Sequence, residues 1–344
     1  MPVRVDSIRS GSIRQERQVF PHREASSALP GHSSEWITIG LINNMPDVAF
    51  NATERQFVSL LEAASEDLKV RLIRYVFPEI SRTEAGAHHV RDYSSTESLF
   101  DTRLDGLIVT GREPTTSDLR DECYWGSFTK VIEWAQFNTH STVWSCLAAH
   151  AAILHLDGIG RSKGENKHFG VFDCTRVSDH PLTAGAPSLF HVPHSRWNGV
   201  AENELVARGY TVLTRAEDTE VDTFVKEGKS LFVFFQGHPE YESDTLMREY
   251  RRDIERYLRL ESDTYPKVPR GYFDPSTEAA LASLREKARS YPDGEIMASV
   301  ALALSGRCIH NTWEQLAARV YRNWLDFLYA RKNASQRDSL AILA

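Results

Sequence analysis

The stretch Ser141-Thr-Val-Trp-Ser-Cys-Leu-Ala-Ala-His-Ala-Ala152 decides the fold, because a strand-type run stops abruptly at a cysteine and a helix-type run begins at once. Thr142 to Trp144 favours a buried strand, and the Ala-rich part after Cys146 favours a helix. A thiol at such a strand-to-helix turn projects from the edge of the sheet. The helix N-terminus behind it favours the thiolate form. Cys146 is therefore a candidate nucleophile.

The chain on either side of this turn alternates short apolar runs with segments of helical periodicity. This alternation predicts an α/β fold with a mostly parallel sheet and helices on both faces. Between residues 168 and 236 the apolar runs are shorter, and we expect antiparallel strands that extend the sheet. The predicted strands are Trp36–Ile42, Val70–Phe77, Leu104–Gly111, Thr142–Trp144, Gly170–Asp173, Thr211–Thr214, Val221–Val225 and Leu231–Phe235.

Three segments of different character follow one another along the 344 residues. Residues 1–34 are polar and rich in Ser and Arg, which predicts a flexible N-terminal arm. Residues 35–275 carry the strand and helix pattern and form the main domain. Residues 276–344 have helical periodicity and are predicted to form an extension that packs on the same domain.

Composition excludes several classes of protein. With 41% hydrophobic and 25% charged residues the chain is typical of a globular protein, and its net charge of -7 gives no general attraction to nucleic acid. No apolar run approaches the roughly 18 residues that a membrane span needs. The four cysteines lack paired spacing, which argues against disulfides and a metal site and fits a reducing cytoplasm.

A second motif supplies partners for the thiol. Gln236-Gly-His-Pro-Glu-Tyr241 follows the apolar run that ends at Phe235, so His238 also falls at a predicted strand end. In an extended segment Glu240 lies on the same side as His238 and can hold its imidazole in one tautomer. Carboxyl ends of parallel strands share one edge, so these residues can meet Cys146.

Each piece also has an ordinary interpretation. A free cysteine is more often a small buried side chain, and a Gly-His-Pro-Glu run can be a simple turn. The combination favours nucleophile, base and orienting carboxylate. The Leu147 amide and an amide near Gly111 are then candidate donors to an oxyanion.

Four polar positions are candidates for substrate binding. Glu249 and Arg252 lie three residues apart on a predicted helix, which most often means a surface ion pair. Together they also suit the ammonium and carboxylate groups of an amino acid. Pro193-His-Ser-Arg196 falls in a predicted loop and offers further donors, among them Ser195. Lys167 is either a solvated lysine or a partner for an anionic group.

These residues resemble those of the homoserine O-acyltransferase family, of the homoserine O-succinyltransferase type. The resemblance covers about residues 36–332 and consists of motifs in a fixed order. They are Asn44-Met-Pro46, Leu107–Gly111, Tyr124-Trp125, Cys146 with its Ala-rich helix, Lys167, Gly170-Val-Phe172, Pro193–Arg196, Gly237–Tyr241, Glu249-Tyr-x-x-Asp253, Tyr272-Phe273 and Asn323-Trp-Leu325.

The resemblance implies a flavodoxin-like fold of the class I glutamine amidotransferase type and a ping-pong acyl transfer. The cysteine takes an acyl group from acyl-coenzyme A and passes it to the hydroxyl of L-homoserine. Cys146, His238 and Glu240 take the catalytic roles. Lys167, Ser195, Arg196, Glu249 and Arg252 match positions around the substrate. Acyl-coenzyme A is a substrate, no metal or bound cofactor is implied, and the family is typically a cytoplasmic homodimer.

The chain departs from the family pattern after Gly111, where it continues Arg112-Glu-Pro-Thr115 instead of Ala-Pro. It also carries Asp47 where many members have a lysine. The family position that distinguishes acetyl from succinyl donors falls at Thr115. A threonine there leaves more room than glutamate and adds no negative charge, which favours succinyl.

Other functions remain open at this level. The donor can be acetyl-coenzyme A, and the acceptor can be serine, since one methylene changes binding by only about 1–3 kcal/mol. The same three residues would serve a glutamine amidotransferase-like hydrolase. An inactive binding protein is a further alternative, against which the presence of all three catalytic candidates argues.

Overall fold

The computed structural model describes residues 3–6, 36–217, 220–290, 295–306, 309 and 311–343. Its strands are β1 (Val3–Asp6), β2 (Ile37–Ile42), β3 (Val70–Val76), β4 (Ser94–Ser95), β5 (Gly106–Val109), β6 (Ser141–Ser145), β7 (Ser162–Arg176), β8 (Leu189–Gly199), β9 (Thr211–Ala216), β10 (Glu220–Lys226) and β11 (Leu231–Phe235). Its helices are α1 (Asp47–Ser65), α2 (Glu84–His89), α3 (Trp125–Asn138), α4 (Leu147–Asp157), α5 (Glu202–Ala207), α6 (Thr245–Leu258), α7 (Pro275–Ser290), α8 (Glu295–Leu304) and α9 (Glu314–Leu343).

The strands of the described residues form one sheet in the order β1-β3-β2-β5-β6-β11-β10-β9-β7-β8, with β4 beside β3. From β1 to β11 neighbouring strands are parallel, and Trp144 of β6 lies opposite Phe234 of β11. From β11 to β8 every pairing is antiparallel. The predicted α/β fold with an antiparallel extension is confirmed.

Helices cover both faces of the parallel half because its strands are apolar on both sides. All five residues of β6 are buried. Successive side chains point to opposite faces: Val143 joins a core that includes residues of α1 and α9, and Trp144 joins a core that includes residues of α3 and α4. Two cores therefore hold the central strands.

The sequence prediction differs from the structure in two places. Val3–Asp6 pairs in parallel with β3, so ordered structure begins within the segment predicted as a flexible arm; residues 7–35 lie outside the described residues. Pro193–Arg196, predicted as a loop, lies in β8 and pairs with β7. β8 ends the sheet order, and an edge strand tolerates a proline because one side needs no ladder hydrogen bond.

The C-terminal helices pack in two places. α9 lies against the sheet, where Trp324 Nε1 donates to Ser141 Oγ over 2.9 Å and directly supports β6. Gly106 makes room for this contact, since a Cβ there would lie 2.7 Å from Leu328. Residues of α7 and α8 share a separate core with residues of α6. Among the described residues, no helix has the length and apolar character that a membrane crossing requires.

Replacing Trp324 tests how much the docking of α9 stabilises the sheet. Trp324 is 2% exposed, so we expect Trp324→Ala to lower the free energy of unfolding by about 3–5 kcal/mol, measured by urea denaturation. Leu302→Ala on α8 is the control, because Leu302 is 78% exposed and its loss should stay within about 0.5 kcal/mol. Equal stability of the two variants would show that α9 contributes little.

Candidate active site

Cys146 occupies a strained turn between β6 and α4. Its φ of 52° and ψ of -114° lie in a region that non-glycine residues rarely adopt, and it directly precedes the first residue of the helix. The Cys146 amide donates to the Phe235 carbonyl over 2.7 Å, which joins the end of β6 to the end of β11. This turn places the thiol beyond the sheet edge, as the sequence predicted.

His238 and Glu240 complete a line of three side chains. The His238 ring is in hydrogen-bonding contact with Cys146, and His238 Nδ1 lies 2.9 Å from Glu240 Oε1. Ser145 Oγ also donates to this carboxylate oxygen, over 3.4 Å. The segment is not extended as predicted: it turns, with the Tyr241 amide donating to the His238 carbonyl. The turn still brings Glu240 onto the imidazole.

The surroundings of His238 favour its charged form. Burial lowers the pKa of His238, but the negative charges of Cys146 and Glu240 outweigh burial and raise it well above its usual value. Tyr241 stacks on the imidazole with ring centroids 4.2 Å apart and restricts its rotation. The geometry therefore suits a thiolate paired with an imidazolium.

The position before His238 needs a glycine, because the space around residue 237 is crowded. A Cβ at this position would lie 2.5 Å from Val192 and 2.7 Å from Asp222 Oδ1. The His238 amide donates to the Pro193 carbonyl over 2.8 Å. The base is thus fixed to β8 as well as to the end of β11.

The predicted oxyanion donors lie together beside Cys146. Leu147 is the first residue of α4, so its amide has no acceptor within the helix. A Cβ on Gly111 would lie 2.6 Å from the Leu147 nitrogen, which shows how closely the two backbones approach. Gly111 and Leu147 therefore border the space in which a carbonyl attacked by Cys146 would sit.

Glu249 is the centre of a polar group on the opposite wall. It accepts hydrogen bonds from Ser195 Oγ and, over 2.6 Å, from Tyr241 Oη. Arg252 lies 4.0 Å from Glu249 on α6, so helix spacing does present a carboxylate and a guanidinium side by side. Tyr241 touches both the base and this group, which couples the two parts of the site.

Asp253 holds the two cations of this group. Its carboxylate pairs with Lys167 Nζ at 2.9 Å and with Arg252 at 2.7 Å. Burial raises the pKa of Asp253, but the two cations outweigh burial and keep it below its usual value. Lys167 also lies over the Phe169 ring, 4.1 Å from its centroid. Both cations are therefore fixed in place next to Glu249.

Ten of the predicted site residues border one open cleft. They are Gly111, Cys146, Leu147, Lys167, Ser195, Arg196, His238, Glu240, Glu249 and Arg252. Arg196 is also bound behind the cleft wall, where it donates to Glu220 and to His194 Nδ1. One cleft thus brings together the Cys146 thiol and the Glu249–Arg252 pair of opposite charge.

Thr115 is the predicted site residue that does not border this cleft. Its backbone amide and its hydroxyl both donate to the Glu122 carboxylate, at 2.5 and 3.0 Å. At this part of the cleft the wall is formed by Arg112, Glu113 and Pro114. The polar atoms of Thr115 are bound to Glu122, and the role predicted for Thr115 in the choice of acyl donor stays a prediction.

Two residues of the site were named in motifs but given no role from the sequence. Tyr241 follows Glu240 directly, and Asp253 lies one helical turn after Glu249 on the same face. From the sequence, that spacing could have indicated that Asp253 belongs to the site. The stacking of Tyr241 depends on the turn after β11, which periodicity does not reveal.

One buried group behind the base has metal-ligand chemistry. Cys174, His194 and Asp222 bring their ligand atoms within 4.8 Å of one another. Burial raises the pKa of the Cys174 thiol, and Arg196 adds positive charge beside His194. His194 and Asp222 already pair at 3.3 Å. This group does not suit a cation and instead supports Arg196 and the wall behind Gly237.

A thiol, an imidazole and a carboxylate joined in this order, at the carboxyl edge of a parallel sheet, define an enzyme of the class that transfers acyl groups through a cysteine. The family model for homoserine O-succinyltransferase matches residues 11–335. The chain belongs to the homoserine O-succinyltransferase family, and the resemblance stated from the sequence is confirmed.

Two relatives of the same family agree with this assignment. The homoserine O-succinyltransferase of Rhodopseudomonas palustris is 46% identical over 84% of this chain and 87% of its own. That of Bradyrhizobium japonicum is 44% identical over 85% and 90%. A solved glutamine amidotransferase from Methylobacillus flagellatus is 13% identical, covers 85% of this chain and 96% of its own, and has a TM-score of 0.48.

His150, one turn along α4 from Cys146, is fully buried and borders the cleft. Burial, together with the charges of Arg196 and Arg161, lowers the pKa of His150 to about 3. As the pH falls below about 6.5, His150 takes up a proton in the unfolded chain but stays neutral in the folded protein. The stability that His150 gives is complete above that pH and is lost as the pH falls towards the folded pKa.

Replacing His150 should flatten the acid side of the stability profile. Each pH unit in this window costs up to about 1.4 kcal/mol, so between pH 7 and 5 we expect His150→Gln to lose about 2 kcal/mol less than the wild type. Urea denaturation at both pH values measures this difference. The exposed His88→Gln should behave like the wild type. Parallel profiles for all three proteins would contradict the buried neutral state of His150.

Proposed function

We propose that the protein transfers the succinyl group of succinyl-coenzyme A to the hydroxyl of L-homoserine, through a thioester on Cys146. The observation that carries this proposal is the opening of two groups into one cleft: the Cys146-His238-Glu240 line and the Glu249–Arg252 pair. The first group supplies acyl-transfer chemistry, and the second fits an amino acid. The names of the relatives support the succinyl donor.

In the first half-reaction the Cys146 thiolate attacks the thioester carbonyl of succinyl-coenzyme A. The developing oxyanion lies against the amides of Leu147 and Gly111. As the carbon–sulfur bond to coenzyme A breaks, the leaving thiolate takes the proton from the His238 imidazolium. The products are free coenzyme A, a succinyl thioester on Cys146 and a neutral imidazole.

In the second half-reaction the homoserine hydroxyl attacks this thioester. Neutral His238 removes the hydroxyl proton while Glu240 stabilises the imidazolium that forms. The ester bond forms, the Cys146 thiolate leaves, and the thiolate–imidazolium pair is restored. His238 gives its proton to the leaving coenzyme A thiolate in the first half-reaction and takes one from the homoserine hydroxyl in the second, so one residue serves as acid and then as base.

The acceptor is held by the charged group on the opposite wall. The homoserine ammonium pairs with Glu249, where Ser195 and Tyr241 already donate to the carboxylate. The homoserine carboxylate pairs with Arg252, whose guanidinium Asp253 keeps in place. This orientation directs the side-chain hydroxyl towards Cys146, because Tyr241 joins Glu249 to the base.

We further propose that no metal or prosthetic group takes part, since the two half-reactions balance with the protein's own groups and coenzyme A as substrate. The scattered cysteines support a cytoplasmic location. A homodimer is proposed from the family resemblance alone.

A steady-state comparison tests the function directly. We expect the highest kcat/KM with succinyl-coenzyme A and L-homoserine, and lower values when acetyl-coenzyme A or L-serine replaces either substrate. Glutamine is the control substrate for the amidotransferase alternative, and no ammonia release is expected. Release of ammonia without transfer to homoserine would replace the proposal by a hydrolase.

Removing the thiol tests the covalent route. We expect Cys146→Ala to lose transfer by at least about a thousandfold while keeping its fold, as for other nucleophile deletions. Incubation with succinyl-coenzyme A alone should leave a succinyl adduct on the wild type by intact-mass spectrometry and none on this variant. Cys123→Ala is the matched control, because Cys123 is exposed and outside the cleft. A fully active Cys146→Ala enzyme would rule the mechanism out.

A further inference from the structure

Two arginines of the cleft differ from the other cations there in having no acidic partner. Lys167 and Arg252 pair with Asp253, Arg196 with Glu220, and Arg256 with Glu113. Arg112 and Arg161 also border the cleft. Neither has an ion pair or a hydrogen bond from its guanidinium within the part of the chain that the structure describes.

Both guanidinium groups contain a buried nitrogen that lacks an acceptor. These atoms are Nε of Arg112 and Nη1 of Arg161. A buried donor without a partner costs free energy, and the cost is larger when the donor is charged. Burial lowers the pKa of Arg161, and the more distant charges of Glu122 and Asp118 only partly oppose this. The fold therefore maintains two unsatisfied cations, which is typical of a site for an anion.

The Glu122 carboxylate, which acts electrostatically on Arg161, is bound to other groups. Glu122 accepts from Thr115 and Thr116, through their backbone amides and both hydroxyls. These hydrogen bonds hold the 115–116 turn and keep the Glu122 carboxylate from closing on either arginine. The neutral turn thus leaves the guanidinium groups available to a ligand.

The two arginines lie at the α4 end of the cleft, close to the thiol. Arg112 follows Gly111, whose backbone touches Leu147. Arg161 acts electrostatically on His150, one turn beyond Cys146, and both arginines act on Tyr124. Glu249 and Arg252, in contrast, belong to α6 on the other wall. Cys146 therefore lies between an amino-acid group and a separate cationic group.

We propose that Arg112 and Arg161 bind the distal carboxylate of the succinyl group and so select this donor. This inference rests on the proposed function. Two methylene groups separate that carboxylate from the thioester carbonyl, which matches a cationic group next to the helix turn that begins at Cys146. The phosphates of coenzyme A instead lie at the far end of the pantetheine arm. A neutral acetyl group leaves both guanidinium groups unpaired, and sites built for a polar group reject ligands that lack it.

The test measures the donor step by itself. The rate of thioester formation on Cys146 is followed by intact-mass spectrometry with succinyl- or acetyl-coenzyme A and no acceptor. Loss of a charged hydrogen bond predicts about a 10- to 100-fold slower reaction of Arg161→Met and Arg112→Met with succinyl-coenzyme A. The reaction with acetyl-coenzyme A should change by less than about twofold, because uncharged acetyl makes no use of the guanidinium groups.

Two further variants guard against a folding defect and against a general charge effect. Arg161→Lys keeps a positive charge and should recover part of the succinyl preference. Arg120→Gln removes an exposed arginine from the same loop and should leave both rates unchanged, since Arg120 pairs with Asp118 outside the cleft.

The outcomes separate this inference from the proposed function. Equal losses with both donors, with weaker inhibition by free coenzyme A, would place a phosphate at the arginines and overturn the inference. An unchanged succinyl preference in Arg112→Met and Arg161→Met would also overturn it. Thioester formation with the expected preference, but without transfer to homoserine, would support the inference while refuting the proposed acceptor. Absence of any adduct on the wild type would overturn both.

Discussion

The parallel pairing of β6 with β11 is the constraint on which the site depends. Because the two strands run side by side in register, they end at the same edge, with Ser145 opposite Phe235. The hydrogen bond from the Cys146 amide to the Phe235 carbonyl extends this pairing by one step into the turn. The thiol and the imidazole meet because the backbone fixes them, and their side chains need little freedom to find each other.

Two carboxylates near the thiol, those of Asp253 and Glu122, are already bound to neighbouring groups, and this determines where unpaired charge remains. Asp253 is committed to two cations and so leaves Glu249 for a ligand. Glu122 is held by Thr115 and Thr116, and within the described residues Arg112 and Arg161 have no ion-pair partner. On the wall that carries Glu249, a bound carboxylate fixes the positions of two cations. On the wall that carries Arg112 and Arg161, a bound carboxylate leaves two cations unpaired. A substrate with ends of different charge can be oriented by such a cleft before any bond changes.

The sequence predicted the elements that depend on local pattern and nearest neighbours. Apolar runs located the parallel strands, and the break at Cys146 located the strand-to-helix turn that places the thiol at the sheet edge, since such a turn depends on adjacent residues. β8 was missed because Pro193 argues against a central strand, and only the sheet order shows that this strand is at the edge. The sequence did not reveal that Thr115 binds Glu122 and lies outside the lining of the cleft. Asp253 gains its role from a contact with Lys167, 86 residues away, and Tyr241 gains its role from the turn after β11. Periodicity in the sequence reveals neither.

The turn at Cys146 has a consequence for how the chain becomes an enzyme. Ser145 and Glu240, which share a hydrogen bond in the finished site, are 95 residues apart in sequence. A chain emerging from the ribosome therefore exposes its cysteine long before the histidine that activates it has been made. Contacts of this separation form late, because the entropy of closing the intervening loop must be overcome first. The thiol therefore gains its histidine neighbour only as the central strands come together.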